Sequence, residues 1–256
     1  MIDSHAHLND EILYDRIDEI NTESKKVGVD IIINVGYDLK SSRRAVEIAE
    51  KYENMYAIIG IHPENAKDYD EQVETELIEL AKSKKVVAIG EIGLDYHYEK
   101  ETAPLQKEIF AKQIRLSNML KLPIVIHTRD AIGDTLKILS ENEKYLTNGV
   151  LFHCFNASLE VLREVEKKGY FVAFGGAITF KNARGLIDCV KCCNIKNMLL
   201  ETDCPYMSPE PFRGKVNTPK NIAIVCQKVA EIKDLKSDDV AKITTENTLK
   251  FFNIWW

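Results

Sequence analysis

Ala88-Ile89-Gly90-Glu91-Ile92-Gly93-Leu94-Asp95 is an almost unbroken apolar run that ends in acid. A strand wet on one face alternates apolar and polar residues; a strand of a parallel sheet covered on both faces does not. The run therefore reads as an interior strand, Val86–Leu94, with its chemistry at the C-terminal end. Working outward, the same form recurs at Ile2–Leu8, Asp30–Gly36, Tyr56–His62, Pro123–Thr128, Gly149–Phe155, Tyr170–Gly175 and Met198–Asp203. Amphipathic stretches lie between them, among them Leu39–Tyr52, Glu71–Ser83, Ala103–Leu120 and Leu159–Lys168. Asp130, Ser158 and Thr218 stand where helix N-caps are expected. A doubly wound open sheet would show the same alternation. The count of eight strands, and the placement of polar groups below, predict instead an α/β fold: a (β/α)8 TIM barrel, one domain over residues 1–256.

Strand after strand ends in a histidine or carboxylate. Strand 1 carries Asp3-Ser4-His5-Ala6-His7, whose histidines, two apart, project from one face with Asp3 one step deeper. That places Asp3 to orient a histidine. The others end at His62, Glu91 and Asp95, His127, His153 and Asp203. Five of the six histidines lie at such ends, with His97 in the loop after strand 4. In a barrel these ends meet at one mouth, where active sites of this fold are built. Four imidazoles and two carboxylates exceed what one tetrahedral ion needs. They suit two divalent ions sharing a carboxylate, for which Glu91 is the best placed. Imidazole favours zinc or manganese; a carboxylate-rich, hydrated subsite accepts magnesium.

Composition narrows the function classes. The formal net charge of −6 does not suggest a general polyanion binder, so any contact with nucleic acid must be local or carried by metal. No signal peptide is evident, and no apolar run approaches the roughly 20 residues that span a bilayer. With six cysteines in such a chain, free thiols in a reducing, cytoplasmic setting are expected. Cys189, Cys192 and Cys193 contain a C-x-x-C spacing without a second pair, which argues against a zinc ribbon.

Taken in order, the motifs resemble the TatD-type metal-dependent deoxyribonucleases, a branch of the amidohydrolase-like barrels. The resemblance rests on the strand-1 histidine pair, Gly60-Ile61-His62-Pro63, Gly90-Glu91-Ile92-Gly93-Leu94-Asp95-Tyr96 and His127-Thr128-Arg129-Asp130-Ala131. It continues through His153-Cys154-Phe155, Glu201-Thr202-Asp203-Cys204-Pro205-Tyr206, Pro211-Phe212-Arg213-Gly214 and Asn217-Thr218-Pro219. It implies His5, His7, Glu91, His127, His153 and Asp203 as ligands of two metal ions, with His62 near the scissile group. It implies a metal-dependent hydrolase, commonly acting on DNA ends; we expect a deoxyribonuclease working as an exonuclease on DNA ends or single-stranded DNA, with no membrane association. We expect a monomer. The chain departs from the family after strand 6, where Asn156 and Ala157 replace a glycine-containing turn. Some amidohydrolases bridge their metals with a carbamylated lysine; Glu91 stands on strand 4 instead.

In such a site Asp203 is the expected general base for a two-metal-activated water. Arg129 and Arg213 are the candidate phosphate contacts, against an alternative of ion pairs with Asp130 or Glu210. Tyr96 and Phe212 are candidates to stack on a terminal base. The same barrel also suits a small-molecule hydrolase of lactones, cyclic amides or phosphotriesters, which would use a closed apolar pocket rather than phosphate donors. A metal-binding scaffold would not need the full ligand set.

Overall fold

A computed structural model describes residues 1–98 and 100–255. Its strands are β1 (Ile2–Ala6), β2 (Ile31–Val35), β3 (Met55–Ile59), β4 (Val86–Asp95), β5 (Ile124–Arg129), β6 (Val150–Phe152), β7 (Phe171–Phe174) and β8 (Met198–Leu200). They form one eight-stranded sheet in the order β1-β2-β3-β4-β5-β6-β7-β8. The helices are α1 (Ile17–Lys26), α2 (Leu39–Lys51), α3 (Glu71–Leu80), α4 (Ala103–Leu120), α5 (Ile132–Glu141), α6 (Leu159–Lys167), α7 (Arg184–Cys192), α8 (Ile222–Lys233) and α9 (Ser237–Phe251). A helix follows every strand, and consecutive strands are neighbours throughout: the (β/α)8 barrel class expected from the apolar runs. No described helix is long and apolar enough to cross a membrane.

The chain divides into two compact units, Asn34–Phe152 and a second made of Met1–Ile33 and the chain from His153 onward. In the first, β3–β4, β4–β5 and β5–β6 pair in parallel. The β4–β5 register is irregular: Ile89 faces Ile124 and Ile92 faces Ile126, so three steps on β4 oppose two on β5. The extra residue makes a bulge at Gly90-Glu91, and bulges re-aim side chains. Glycine is required there by space. A Cβ on Gly90 would lie 2.8 Å from Val125 Cβ and 2.9 Å from its carbonyl oxygen. At Gly93, φ is +147° and a Cβ would fall 1.9 Å from the His127 carbonyl oxygen.

Two buried glutamines on α4, seven residues apart, hold the chain at the ends of β3 and β4. Gln113 accepts from the Ile61 N–H and donates to the Ile61 carbonyl, both at 2.9 Å. Gln106 does the same for Asp95, at 2.8 and 2.9 Å. Each amide satisfies a backbone donor and acceptor that have left the ladder, which buried backbone requires. His62 and Asp95 are thereby tied to one helix.

In the other unit β7 pairs with β8 in parallel, and an isolated bridge joins Ala6 to Cys204. His7 N–H donates to the Cys204 carbonyl at 2.8 Å and Asp203 N–H to the His5 carbonyl at 2.9 Å. Ser4 Oγ donates to the Leu200 carbonyl at 2.8 Å. The chain past β8 thus runs beside β1, bringing Asp203 to the two histidines. At the end of α7, the Lys233 ammonium donates to the carbonyls of Val190, Lys191 and Cys193 at 2.7–3.2 Å. It caps the negative end of that helix.

The expected helix caps fare unevenly. Ser158 caps α6, its hydroxyl accepting from Val161 N–H at 3.4 Å. Thr218 precedes the 3-10 turn Pro219–Asn221 without a side-chain cap bond. Asp130 is not the cap of α5. Ala131 takes that position, and Asp130 turns through a positive φ of 55° with its carboxylate 3.1 Å from His97 Nδ1. All six cysteines are free thiols, and Cys189 Sγ donates to the Ala157 carbonyl.

Candidate metal centre

The unit spanning Asn34–Phe152 gathers His62, Glu91 and His127, whose ligand atoms lie within 4.8 Å of one another. The bulge on β4 presents Glu91, buried, between the two imidazoles. Glu91 Oε1 is 2.7 Å from His127 Nδ1 and 3.6 Å from His62 Nε2. The two rings stand 4.3 Å apart and tilted by 67°. His62 sits past the end of β3, where its Nδ1 accepts from Glu64 N–H at 3.2 Å. With Nδ1 accepting, a neutral His62 carries its hydrogen on Nε2, the nitrogen that faces Glu91.

On its far side His127 Nε2 lies 3.0 Å from Asp95 Oδ2. Asp95 is 1% exposed, and its other oxygen accepts from His97 N–H at 2.8 Å and Tyr98 N–H at 3.3 Å. Burial works to raise its pKa, but the bonds to His127 and the two backbone donors prevail, holding it at about 2. A carboxylate kept ionised behind a ligand imidazole orients the ring and raises its basicity. This role for Asp95 was not read from the sequence. Asp95→Asn is expected to weaken divalent-ion affinity by about 10- to 100-fold. Competition against a chelating dye would measure it, and unchanged affinity would remove Asp95 from the site.

The other unit gathers His5, His7 and Asp203, again with ligand atoms within 4.8 Å. His7 Nε2 is 3.3 Å and His5 Nε2 3.8 Å from Asp203 Oδ1. The His153 ring stacks on His5 at 4.0 Å with 13° between planes. Burial pushes the Asp203 carboxyl up, but the His7 bond and the neighbouring imidazoles outweigh it, and its pKa is lowered. Asp203 turns at φ +55°, a strained position held by the bond to His5.

Two further carboxylates lie beside this cluster. Asp3 was expected to orient a histidine ring. Instead its Oδ2 accepts from the Thr202 hydroxyl at 2.5 Å, and Oδ1 accepts from Thr202 N–H at 2.9 Å and His5 N–H at 3.3 Å. It ties β1 to the segment after β8 through backbone. Complete burial raises its pKa to about 8 against the pull of those bonds. Glu201 is fully buried; its Oε1 accepts from Cys154 N–H at 2.6 Å and lies 3.7 Å from His153 Nδ1. Its Oε2 has no hydrogen-bond partner among the described residues.

Both donor sets fit a divalent cation. Each combines imidazole nitrogens with carboxylate oxygen, which suits zinc, manganese or a hydrated harder ion. Glu91 is buried in the first, and beside the second lies the fully buried Glu201, whose partnerless Oε2 a bound cation would satisfy.

Around these clusters the candidate substrate contacts sort out. Arg129 lays its guanidinium over the Tyr98 ring at 4.8 Å, and Arg213 over Phe180 at 4.2 Å. Neither alternative ion pair forms the main contact: Asp130 faces His97, and Glu210 N–H bonds the Thr179 hydroxyl. Tyr96 is half-buried, its hydroxyl donating to Asp134 at 2.8 Å with Lys107 over its ring, so its face is already used. Phe212 remains exposed.

The family profile described as TatD related DNase matches residues 2–253. The uncharacterized metal-dependent hydrolase YabD of Bacillus subtilis is 42% identical over 254 residues, covering 99% of each chain. The uncharacterized metal-dependent hydrolase YcfH of Escherichia coli is 34% identical, covering 99% of this chain and 96% of its own. Among solved structures, the TatD homolog YJJV of Escherichia coli superposes with a TM-score of 0.94 at 27% identity, covering 100% of this chain and 98% of its own.

Proposed function

Because the chain belongs to the TatD-related DNase family, we propose that it is a metal-dependent hydrolase of phosphodiester bonds in DNA, an exonuclease working as a monomer on DNA ends or single-stranded DNA. The observation that carries this reading is the pair of ligand clusters, His5–His7–Asp203 and His62–Glu91–His127, each able to hold a divalent ion. His5, His7, His153 and Asp203 would hold one ion, and Glu91 and His127 would hold the other. When bound, the ions supply Lewis acidity and offset the charge of the phosphodiester that the acidic protein would otherwise repel.

The protein's own groups do the rest. Asp203, kept ionised by its imidazole neighbours, accepts the proton of the attacking water. Asp95 holds the His127 ring in place. His62 stands beside the scissile group. The Arg129 and Arg213 guanidiniums, braced on aromatic rings, present their edges to phosphate oxygens. Two phosphate donors of this kind favour a phosphodiester over a neutral lactone or cyclic amide.

The test is labelled single-stranded DNA incubated with metal-stripped protein plus each divalent ion in turn, with elemental analysis of the reloaded protein. The expected result is up to two ions per chain and cleavage restored by at least one ion. Linear strands should be cut faster than a covalently closed circle of the same sequence, because one barrel mouth admits an end more readily than a continuous chain. Equal rates on both, with internal cuts from the first turnover, would remove the exonuclease assignment. Absence of ion binding at micromolar concentration would remove the reading altogether.

A further inference from the structure

Tyr206 lies three residues past Asp203 and was assigned no role in the chemistry above. Its ring stands edge-on to the His7 imidazole, centroids 6.3 Å apart and planes at 65°. The residue is fastened at three points. Its hydroxyl donates to Asp10 Oδ2 at 3.1 Å, its N–H donates to the Asp203 carbonyl at 2.9 Å, and its own carbonyl accepts from the Asn217 amide at 2.8 Å. Asn217 is itself buried and also donates to the Thr202 carbonyl. Yet Tyr206 is 51% exposed. A tyrosine used for packing buries its ring and leaves its hydroxyl wet. Here the hydroxyl is tied down and much of the ring is left to solvent, beside a candidate metal ligand.

The loop that follows continues the pattern. Phe212 is 39% and Val216 51% exposed. Between and beside them stand Arg213, laid over Phe180, and Lys215, whose ammonium lies 5.8 Å from the Phe212 centroid. Exposed aromatic faces interleaved with cations are what single-stranded nucleic acid recognition uses, bases stacking on rings while cations follow the backbone. In a nucleotide the base is one sugar away from its phosphate, so a ring beside a candidate ligand of the ion that would meet the reacting phosphate serves the nucleotide being cleaved.

We propose that Tyr206 is the stacking platform for the terminal nucleobase, and that Arg213 and Lys215 take the phosphates of the adjoining nucleotides. The proposal rests on the phosphodiesterase reading above and adds to it the requirement for an unpaired base. Because stacking is indifferent to base identity, the platform demands that a base be present and unpaired but not which one.

The experiment compares short single strands that differ only in whether the terminal nucleotide, at either end, carries a base or is abasic. Wild-type enzyme is expected to prefer the base-bearing terminus by roughly 5- to 150-fold in kcat/KM. Tyr206→Leu should bring that preference close to unity, while Tyr206→Phe, which keeps the ring and loses the hydroxyl with its bond to Asp10, should retain most of it. A structural role for Tyr206 would lower both substrates alike and leave the ratio unchanged. A second readout needs no turnover. Terminal 2-aminopurine should be quenched on binding to Asp203→Asn protein and not to the Asp203→Asn/Tyr206→Leu double variant. If wild type shows no preference, or Tyr206→Leu keeps the wild-type preference, the platform assignment is overturned. If no strand is cut with any ion, the phosphodiesterase reading fails separately, and the quenching comparison decides the platform: loss of quenching supports it and unchanged quenching overturns it.

Discussion

Glu91→Ala is expected to lower metal-dependent cleavage by roughly three orders of magnitude or more, and to reduce ion content with it. The expectation follows from where the carboxylate sits. Glu91 is buried on the bulge of β4, 2.7 Å from His127 Nδ1 and within reach of His62 Nε2. Alanine removes the anionic donor that would touch the ion directly and leaves the imidazoles, with the Asp95 carboxylate one ring away behind His127. Elemental analysis, kcat/KM on single-stranded DNA and a thermal melt together make the test. A variant that melts normally, binds the wild-type complement of ions and retains activity within tenfold would remove Glu91 from the centre. Contrast with Asp95→Asn is informative, because that change should weaken binding without removing a donor.

Much of this centre could be read from the chain alone, for a physical reason. A strand covered on both faces must be apolar along its length, so a histidine or carboxylate at its end stands out. His5, Glu91 and His127 lie within strands as expected. His7, His62, His153 and Asp203 lie one to three residues beyond the strand ends, because hydropathy does not mark the last ladder hydrogen bond. The supporting contacts were less legible. Gln106 and Gln113 look like ordinary polar positions on an amphipathic helix. Only the fold shows that they clamp the backbone at Asp95 and Ile61. Asp3 sits on the same strand face as His5, yet its oxygens turn to Thr202, nearly two hundred residues away in sequence. The Asp130 error has a local cause. Aspartate before a helix signals a cap, but here the chain makes one further turn through positive φ and hands the cap to Ala131.

The two braced arginines and the aromatic rim share a feature that bears on substrate choice. Lysine would offer the same charge, but a guanidinium can lie flat on a ring and still present a planar edge to phosphate. Arg129 on Tyr98 and Arg213 on Phe180 are held in this way without a carboxylate partner dominating either. On the proposed reading, with an overall charge of −6, binding of a polyanion would rest on such local devices, and its salt slope should reflect a few phosphate contacts rather than a long basic track.

Asp203→Asn is expected to lower kcat by roughly 10²- to 10⁴-fold while at least one ion remains bound. Asparagine keeps the size of the side chain, and its amide oxygen can still face His7 and His5, so the change tests proton transfer more than architecture. The wild-type carboxyl suits the transfer proposed for it. Burial alone would push its pKa upward and leave it protonated at the wrong time, but the His7 bond and the imidazoles of His153 and His5 hold the pKa below its ordinary value. The sign matters for the pH profile. A base with a lowered pKa is ionised across the neutral range, so Asp203 should add its own acid limb to turnover only below the range in which the imidazole ligands take up protons and release their ions. In Asp203→Asn that acid limb should vanish along with most of the rate. Positional strain at φ +55° argues for asparagine as the substitution of choice, since it tolerates left-handed backbone better than most residues. Near wild-type turnover in a variant that keeps its ion would show that another group takes the proton. A uniform loss of ions would instead make Asp203 a ligand first, its part in proton transfer then being tested by restoring occupancy with excess metal.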